Sequence, residues 1–256
     1  MNNQEEKTRY RLTSGSDLCT RVEVIEEYAT RLLPFIPRGL PVYQSHGVLH
    51  SATIIQNINR IIRYSGFQIT SEEVFYLYLA AWLHDLGYLH PLSIFNRSTH
   101  PGLSVEMIRV DQTIQGILNQ REYAVLETII RYHDTHTNLM DISEDRADIR
   151  VPLLAAVFRI ADAIDIGTDR CPPEVFMLIE DGLNEHSRRH WQAHHNILGV
   201  QIDYPVITIR VRDPENPFVR RRIISHLEDD CQSSGWILKR YKIAPVTLEC
   251  RKGEVD

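Results

Sequence analysis

Two residues that can bind a metal ion stand side by side at the end of an apolar run. In LAAWLHDLG, residues 79–87, the run ends in His84 and Asp85. A buried imidazole and a buried carboxylate both lose their hydration, and a divalent cation can compensate both groups. The pair therefore raises a metal-site hypothesis. A hydrogen-bonded pair that caps the helix also explains these two residues when they are considered alone.

Similar polar groups recur at the ends or centres of other apolar segments: His50, His100, His133 and Asp162. A lone histidine on a helix is usually structural, but a series ordered H, HD, H, H, D along successive helices favours a shared site. Imidazole and carboxylate without thiolate suit Mn, Fe, Zn, Ni or Mg. The residue types therefore predict a divalent-metal site.

Apolar periodicity and capping signals place these residues on helices. We predict a first helix over 17–33, and a second that Ser45 caps and Gly66 ends. Because His46 and His50 are four residues apart, they should lie on one face of the second helix. Thr70 and Glu73 form a capping box for the helix that delivers His84 and Asp85.

Three more helices follow, and they bear the remaining candidate ligands. His100 lies in or near the first turn of the helix in STHPGLSVEMIRV, and His133 lies at the end of REYAVLETIIRYHDTH. The segment VPLLAAVFRIADAIDIG is apolar almost all round, which predicts a central helix that contains Asp162 and Asp165. These helices would bring the polar groups together at one end of a bundle.

The pattern changes beyond Cys171. A polar helical stretch carries His186, His190, His194 and His195, which we expect on a solvated face, and alternating Val and Ile then predict one or two strands. A helix closed near Gly235 and a strand in WILKRYKIAPVTLEC follow. The fold class is therefore mainly α, a helical bundle with a small C-terminal α/β appendage. The predicted divisions are a polar segment 1–18, a helical metal-binding domain 19–190 and an α/β subdomain 191–256.

Composition excludes several classes of protein. The 256 residues include four widely spaced cysteines, which argues against a disulfide framework or a cysteine zinc site and fits a cytoplasmic location. No signal peptide or membrane-spanning run is present, so no membrane partner is expected. The formal net charge of −6 does not indicate binding to nucleic acid.

The segments SHGVLHSATII, LAAWLHDLG, STHPGLS, IRYHDTH and LLAAVFRIADAIDIGTDRCP resemble the HD-domain superfamily of metal-dependent phosphohydrolases. The segment ADAIDIGTDR, the later His190–Trp191 pair and the β-rich tail are most similar to HD domains that stand alone or beside chaperone-type ATPase modules in bacteria. No HD-GYP signature follows the His84–Asp85 pair. The resemblance implies an HD-type helical bundle over roughly residues 40–170.

The resemblance also implies roles for individual residues. His50, His84, Asp85 and Asp162 would hold a first metal ion, and His100 and His133 a second one, with Asp85 bridging. Asp134 follows His133 where members with two metal ions often carry a second histidine. His46 occupies the position of a histidine that faces the phosphate and protonates the leaving oxygen, so His46 and Asp85 are the expected catalytic residues.

We therefore predict an enzyme that hydrolyses a nucleotide or another small phosphate ester through a metal-activated water. Arg97, Arg131 and Arg170 are close in sequence to ligands and are candidates for binding the phosphate, although surface or loop salt bridges explain them as well. The alternative is a non-catalytic module that binds a nucleotide or metal and acts through a protein partner. A purely structural helical domain is a third reading. The C-terminal part could cover the pocket, form a homo-oligomer or bind that partner.

Overall fold

The computed structural model describes residues 11–39, 45–142, 145–146 and 148–253. Residues 1–10 of the predicted polar segment 1–18 lie outside this range. So do parts of two predicted loops, at 40–44 and within 143–147. The predicted domain boundaries at 18 and 190 stay predictions.

Helices dominate the described chain, as the apolar periodicity predicts. The α-helices are α1 (Asp17–Leu32), α2 (Ile36–Gly39), α3 (Val48–Ser65), α4 (Ser71–Leu83), α5 (His100–Val110), α6 (Gln112–Gln115), α7 (Gln120–Arg131), α8 (Val151–Ala163), α9 (Pro173–Ile179), α10 (Glu185–His195), α11 (Pro217–Val219) and α12 (Ser225–Arg240). Short 3-10 turns span Leu33–Phe35, Leu86–Leu89, Pro91–Ile94, Arg97–Thr99, Leu139–Asp141, Thr168–Arg170 and Glu180–Gly182, and a π-helical turn spans Arg220–Ile224. The prediction of a mainly α chain with a small C-terminal α/β appendage is confirmed.

Two buried helices form the centre of the bundle. Every residue of α4 from Glu73 to Leu83 is buried, and so is every residue of α8 from Val151 to Ala161. The predicted capping box starts α4, because the Thr70 hydroxyl accepts a hydrogen bond from the Glu73 N–H and the Glu73 carboxylate accepts one from the Thr70 N–H. Helix α8 packs against α3, α4, α7 and α12. The polar ends of these helices are therefore held by a well-packed apolar core.

The C-terminal part contains a three-stranded sheet of β1 (Ile197–Asp203), β2 (Val206–Val211) and β3 (Thr247–Lys252). Strands β1 and β2 form an antiparallel hairpin, and β3 pairs parallel to β2. Helix α12 fills the connection to β3 and packs directly on α8. The C-terminal elements are thus packed on the central helix of the bundle.

Three local predictions are wrong. The central helix α8 ends at Ala163 and does not contain Asp165. Helix α12 continues through Gly235 to Arg240, and an added Cβ on Gly235 would lie 3.2 Å from the side chain of Pro245. Residues 236–240 are consequently helical, and the last strand begins only at Thr247. Helix α3 begins at Val48 after Gly47, whose backbone is extended. His46 therefore precedes the helix, and it does not share a helical face with His50.

No helix among the described residues is both long and apolar enough to cross a membrane.

Candidate metal centre

A glycine brings α4 and α5 together next to the His84–Asp85 pair. A Cβ atom on Gly87 would lie 2.1 Å from the backbone oxygen of His100 and 2.6 Å from the backbone nitrogen of Ser104. Only glycine fits this approach. The Gly87 N–H donates to the Ser104 hydroxyl, which donates in turn to the carbonyl of His84. The turn after α4 and the start of α5 are therefore locked together, and His100 is placed beside Asp85.

One group of candidate ligands comes from α3, the end of α4 and the last turn of α8. His50 Nε2 lies 3.3 Å from His84 Nε2, 3.4 Å from Asp85 Oδ2 and 3.2 Å from Asp162 Oδ1. His84 Nε2 lies 3.2 Å from Asp85 Oδ2 and 3.9 Å from Asp162 Oδ1. Two imidazole nitrogens and two carboxylate oxygens thus converge on one point.

A second group adjoins the first through the other oxygen of Asp85. His100 Nε2 lies 3.5 Å from Asp85 Oδ1 and 3.0 Å from His133 Nε2. His133 follows the end of α7, and its ring lies edge-on to the His84 ring. Asp85 therefore borders both groups, which is the position the sequence resemblance implies for a bridging ligand.

Hydrogen bonds to backbone carbonyls fix the orientation of three rings. His100 Nδ1 lies 2.7 Å from the Arg97 oxygen, His133 Nδ1 lies 2.6 Å from the Ile130 oxygen, and His84 Nδ1 contacts the Ala80 and Ala81 oxygens. A carbonyl only accepts, so each Nδ1 carries a hydrogen and Nε2 is the atom that each ring can offer to a metal ion. Two Nε2 lone pairs that face each other at 3.0 Å repel unless a cation lies between them.

The donor set fits a divalent metal ion. Three sets of residues each offer ligand atoms within 4.8 Å of one another: His46, His50 and Asp85; His50, His84 and Asp162; and His84, Asp85 and His133. Among the described residues, none of these sets includes a cysteine. Nitrogen and oxygen donors without sulfur suit the ions predicted from the sequence. A buried His/Asp cluster that could hold a metal is thus part of the fold.

The ionisation states suit metal binding. Burial alone would raise the pKa of Asp85, but the neighbouring His84 and His46 rings and hydrogen bonds from His46 and His50 hold it well below its usual range. Burial likewise opposes ionisation of Asp162, yet His50 and His84 keep its pKa low. Burial lowers the pKa of His133 to about 4 and also lowers that of His100. The site therefore offers ionised carboxylates together with neutral imidazoles at His100 and His133.

His50 is the exception among the rings. Burial and the charge of Arg170 act to lower its pKa, but hydrogen bonds to Asp162, Asp165 and Asp85 outweigh them and raise it to about 10. Its Nδ1 lies 2.7 Å from Asp165 Oδ2. His50 is consequently the ring that carries a proton when no metal is bound, and a metal ion must displace that proton.

His46 lies beside the cluster and contacts Asp85. Its Nδ1 is 2.8 Å from Asp85 Oδ2, and its ring packs 4.6 Å from that of Tyr88. Burial is the main reason that the pKa of His46 falls to about 3, and the Arg170 charge contributes. The ring is therefore neutral at neutral pH and has a lone pair to offer at Nε2.

A cavity of about 400 Å³ opens next to these residues. Among the three arginines predicted to bind phosphate, Arg97 and Arg170 line this cavity, with Arg170 buried against Asp165. Arg131 lies elsewhere. It pairs with Glu127 at 2.8 Å and lines a second cavity of about 1060 Å³. The structure thus brings two of the three arginines to the candidate site.

Several cavity residues were not among the catalytic, metal-binding and substrate-binding residues predicted from the sequence. Tyr88 stacks on His100 at 4.2 Å, and Asp165, which follows α8, contacts both His50 and Arg170. Helix α10 adds His190 and His194, and α12 adds Asp230. The expectation of a solvated face is wrong for His194, which is buried and contacts the Ile166 carbonyl at 2.9 Å. The apolar Trp191 and Ala193 on α10 are the sequence signal for its burial.

Comparison with known families gives one match. The family model described as HD-CE matches residues 25–238, which is most of the chain and includes every candidate ligand. No curated protein matches the sequence. The family match confirms the HD-type resemblance predicted from the sequence motifs.

Proposed function

The chain belongs to the HD-CE family, and we propose that it is a metal-dependent phosphohydrolase that acts on a nucleotide or another small phosphate ester. The observation that supports this proposal is the convergence of buried imidazole nitrogens and ionised carboxylates beside a cavity that Arg97 and Arg170 line. The proposed ligands are His50, His84, Asp85 and Asp162 for one ion, and His100, His133 and Asp85 for a second one.

Each side chain has a part in the proposed reaction. Divalent ions at this site would supply an acidic water molecule and positive charge for the phosphoryl oxygens. Arg170 is held by Asp165 and directs positive charge at the same region, where it can pair with a phosphoryl group. The neutral His46 can take a proton from the attacking water and then return it to the leaving oxygen. Hydrolysis by this route needs no nucleophile from the protein.

The size of the cavity supports a small substrate. About 400 Å³ falls within the range of small-molecule pockets and accommodates more than a single phosphate group. The wall combines aromatic and aliphatic surface from Tyr88 and Ile166 with charged groups. A nucleotide or a phosphorylated metabolite is therefore the substrate class that we propose.

The proposal is tested by metal content and phosphate release together. We expect gently purified protein to contain about two divalent ions per chain and to release phosphate from some members of a panel of nucleotides and phosphate esters. Asp85→Ala should lose both ions and all activity, since Asp85 borders both groups of ligands. His133→Ala should lose one ion.

A matched control is Asp169→Ala, which removes an exposed carboxylate from the turn that carries Arg170. This variant should keep its metal and its activity. Bound metal without phosphate release from any ester would favour the regulatory alternative. A wild-type protein that takes up no ion, even after incubation with Mn or Fe, would contradict the proposal.

A further inference from the structure

The wall of the metal-site cavity is completed by the C-terminal elements. Helix α10 contributes His190 and His194, the π-helical turn contributes Arg222, and α12 contributes His226. These residues lie far along the chain from the candidate ligands and have no part in holding a metal. They border the same space of about 400 Å³ as the ligands.

The arginines at this wall lie around His190. Burial lowers the pKa of His190 to about 4, so its ring is neutral at pH 7, and the positive charge of Arg97 is the next cause, followed by His186, Arg170 and Arg222. Arg222 makes no hydrogen bond or ion pair with any residue that the structure describes, although it faces both this cavity and a neighbouring pocket of about 250 Å³. Like charges that line one cavity favour an anion between them.

The surroundings argue for a small anion over a nucleic acid. The whole chain has a formal net charge of −6, and the cavity wall also contains the carboxylates of Asp134 and Asp230. A broad polyanion would meet these negative groups. A single phosphate is compact enough to contact the arginines, which bind phosphate oxygens through paired N–H donors.

We propose that Arg97, His190 and Arg222 form a second anion subsite, and that the substrate is a phosphate ester with a second, separate phosphate group. The inference rests on the proposed function, because it assumes that the first phosphoryl group binds at the metal ligands beside Arg170. The ester then spans the cavity from the ligands to the α10 and π-helical wall. Arg222 acts as a specificity residue and takes no part in the chemistry.

The experiment compares a nucleoside 5′-monophosphate with the 3′,5′-bisphosphate of the same nucleoside. Equilibrium binding to the full chain is measured by calorimetry both with a divalent ion and with a chelator, and hydrolysis is measured separately with metal. We expect the wild type to bind the bisphosphate roughly ten- to a hundredfold more tightly, the effect of one charge-assisted contact. Arg222→Gln should abolish this preference, while Arg222→Lys should retain part of it.

Arg221→Gln is the matched control, because Arg221 is adjacent in sequence and lines the neighbouring pocket but not the metal-site cavity. This variant should keep the wild-type preference. Equal binding of the two nucleotides by the wild type, no binding of either, or an unchanged preference in Arg222→Gln would overturn the inference.

The two proposals can fail separately. Hydrolysis without a preference for the bisphosphate would overturn the second subsite alone. A preference that depends on Arg222, in a protein that neither takes up metal nor releases phosphate, would support the subsite and contradict the phosphohydrolase.

Discussion

Two buried polar regions border the same cavity. The charged group of the first has hydrogen-bond partners within the protein, whereas the ligand atoms of the second could bind a metal ion. The first surrounds Arg159 in the middle of α8. Its guanidinium donates to the backbone oxygens of Tyr132, Asp134 and Thr137 at 2.5–3.1 Å, and to the Ser233 hydroxyl at 3.2 Å. The buried cation is thus stabilised by carbonyl and hydroxyl dipoles of the protein itself.

The second region is the candidate metal centre, where imidazole nitrogens and carboxylate oxygens lie close together. His100 Nε2 faces His133 Nε2 at 3.0 Å, and His84 Nε2 lies 3.2 Å from a carboxylate oxygen of Asp85. The proton on His50 offsets part of the charge of the two carboxylates of this group. Helix α8 thus carries two kinds of buried charge: Arg159 has its hydrogen-bond partners within the fold, while Asp162 belongs to a cluster of ligand atoms that could hold a cation.

The largest effect on stability is expected when the guanidinium of Arg159 is removed. Arg159→Met should lower the free energy of unfolding by about 3–5 kcal/mol, because several buried carbonyls and the Asp230 carboxyl lose their partner. The loss should be the same with metal and with chelator. Denaturant unfolding measures it.

Arg131→Met is the control for Arg159→Met. The Arg131 side chain is 42% exposed and pairs with Glu127, so its loss should cost less than about 1 kcal/mol. If Arg159→Met proved as mild as Arg131→Met, the Arg159 region would not be a structural network.

The second prediction tests the metal centre by stability alone. A divalent ion at a hundred times its dissociation constant should stabilise the wild type by about 2.7 kcal/mol. Asp162→Asn should abolish this gain, because Asp162 Oδ1 is part of the first group of ligands. Thermal unfolding with Mn and with chelator measures the difference.

Asp230→Asn removes a different carboxylate from the same cavity and should keep the metal response. Equal stabilisation of the wild type and Asp162→Asn would show that the ion binds elsewhere. The Arg159 region and the candidate metal centre would then not differ in their response to metal.

The sequence predicted the helices well because their signals are local. The capping box of Thr70 and Glu73, the left-handed Gly66 after α3 and the apolar body of α8 each depend on residues within one or two turns. Such patterns report which backbone hydrogen bonds can be satisfied and which face is buried. The mainly α fold follows from them.

The predictions that are wrong concern residues whose local structure depends on packing between segments that are distant in sequence. Gly235 indicates a helix end in the sequence, but it lies inside α12, where Pro245 packs close to its Cα. The spacing of His46 and His50 suits a helix, yet Gly47 is extended and His46 contacts Asp85 instead. The approach of α5 to Gly87 likewise depends on the tertiary fold.

The sequence did not predict that α10 and α12 contribute to the cavity wall, because this also depends on packing between distant segments. His194 and Asp230 carry no motif, and only the packing of the C-terminal elements against α8 brings them to the site. Periodicity alone can identify the buried face of α10, but it cannot say what that face covers.

The smallest predicted effect concerns Asp230, the carboxyl that adjoins Arg159. Burial raises its pKa to about 7, against the Arg159 guanidinium 3.9 Å away and the hydrogen bond from Thr135, while Asp162 and Asp134 add to the rise. Its Oδ1 accepts no hydrogen bond from any described residue. The carbonyl oxygens around Arg159 therefore do more to neutralise that cation than Asp230 does.

The pH dependence of stability shows whether the Arg159 cation is stabilised mainly by carbonyl oxygens or by an ionised Asp230. An unfolded aspartate has a pKa of about 3.9, so the folded protein holds the Asp230 proton more tightly between about pH 4 and pH 7. The contribution of Asp230 to the free energy of unfolding is therefore highest at low pH, and it falls as the pH rises towards 7. With chelator present, the wild type should lose on the order of 1 kcal/mol more than Asp230→Asn between about pH 5.5 and pH 7.5. Other groups titrate alike in both proteins, so a constant difference across this range would mean that Asp230 is ionised throughout and that Arg159 sits in a full ion pair.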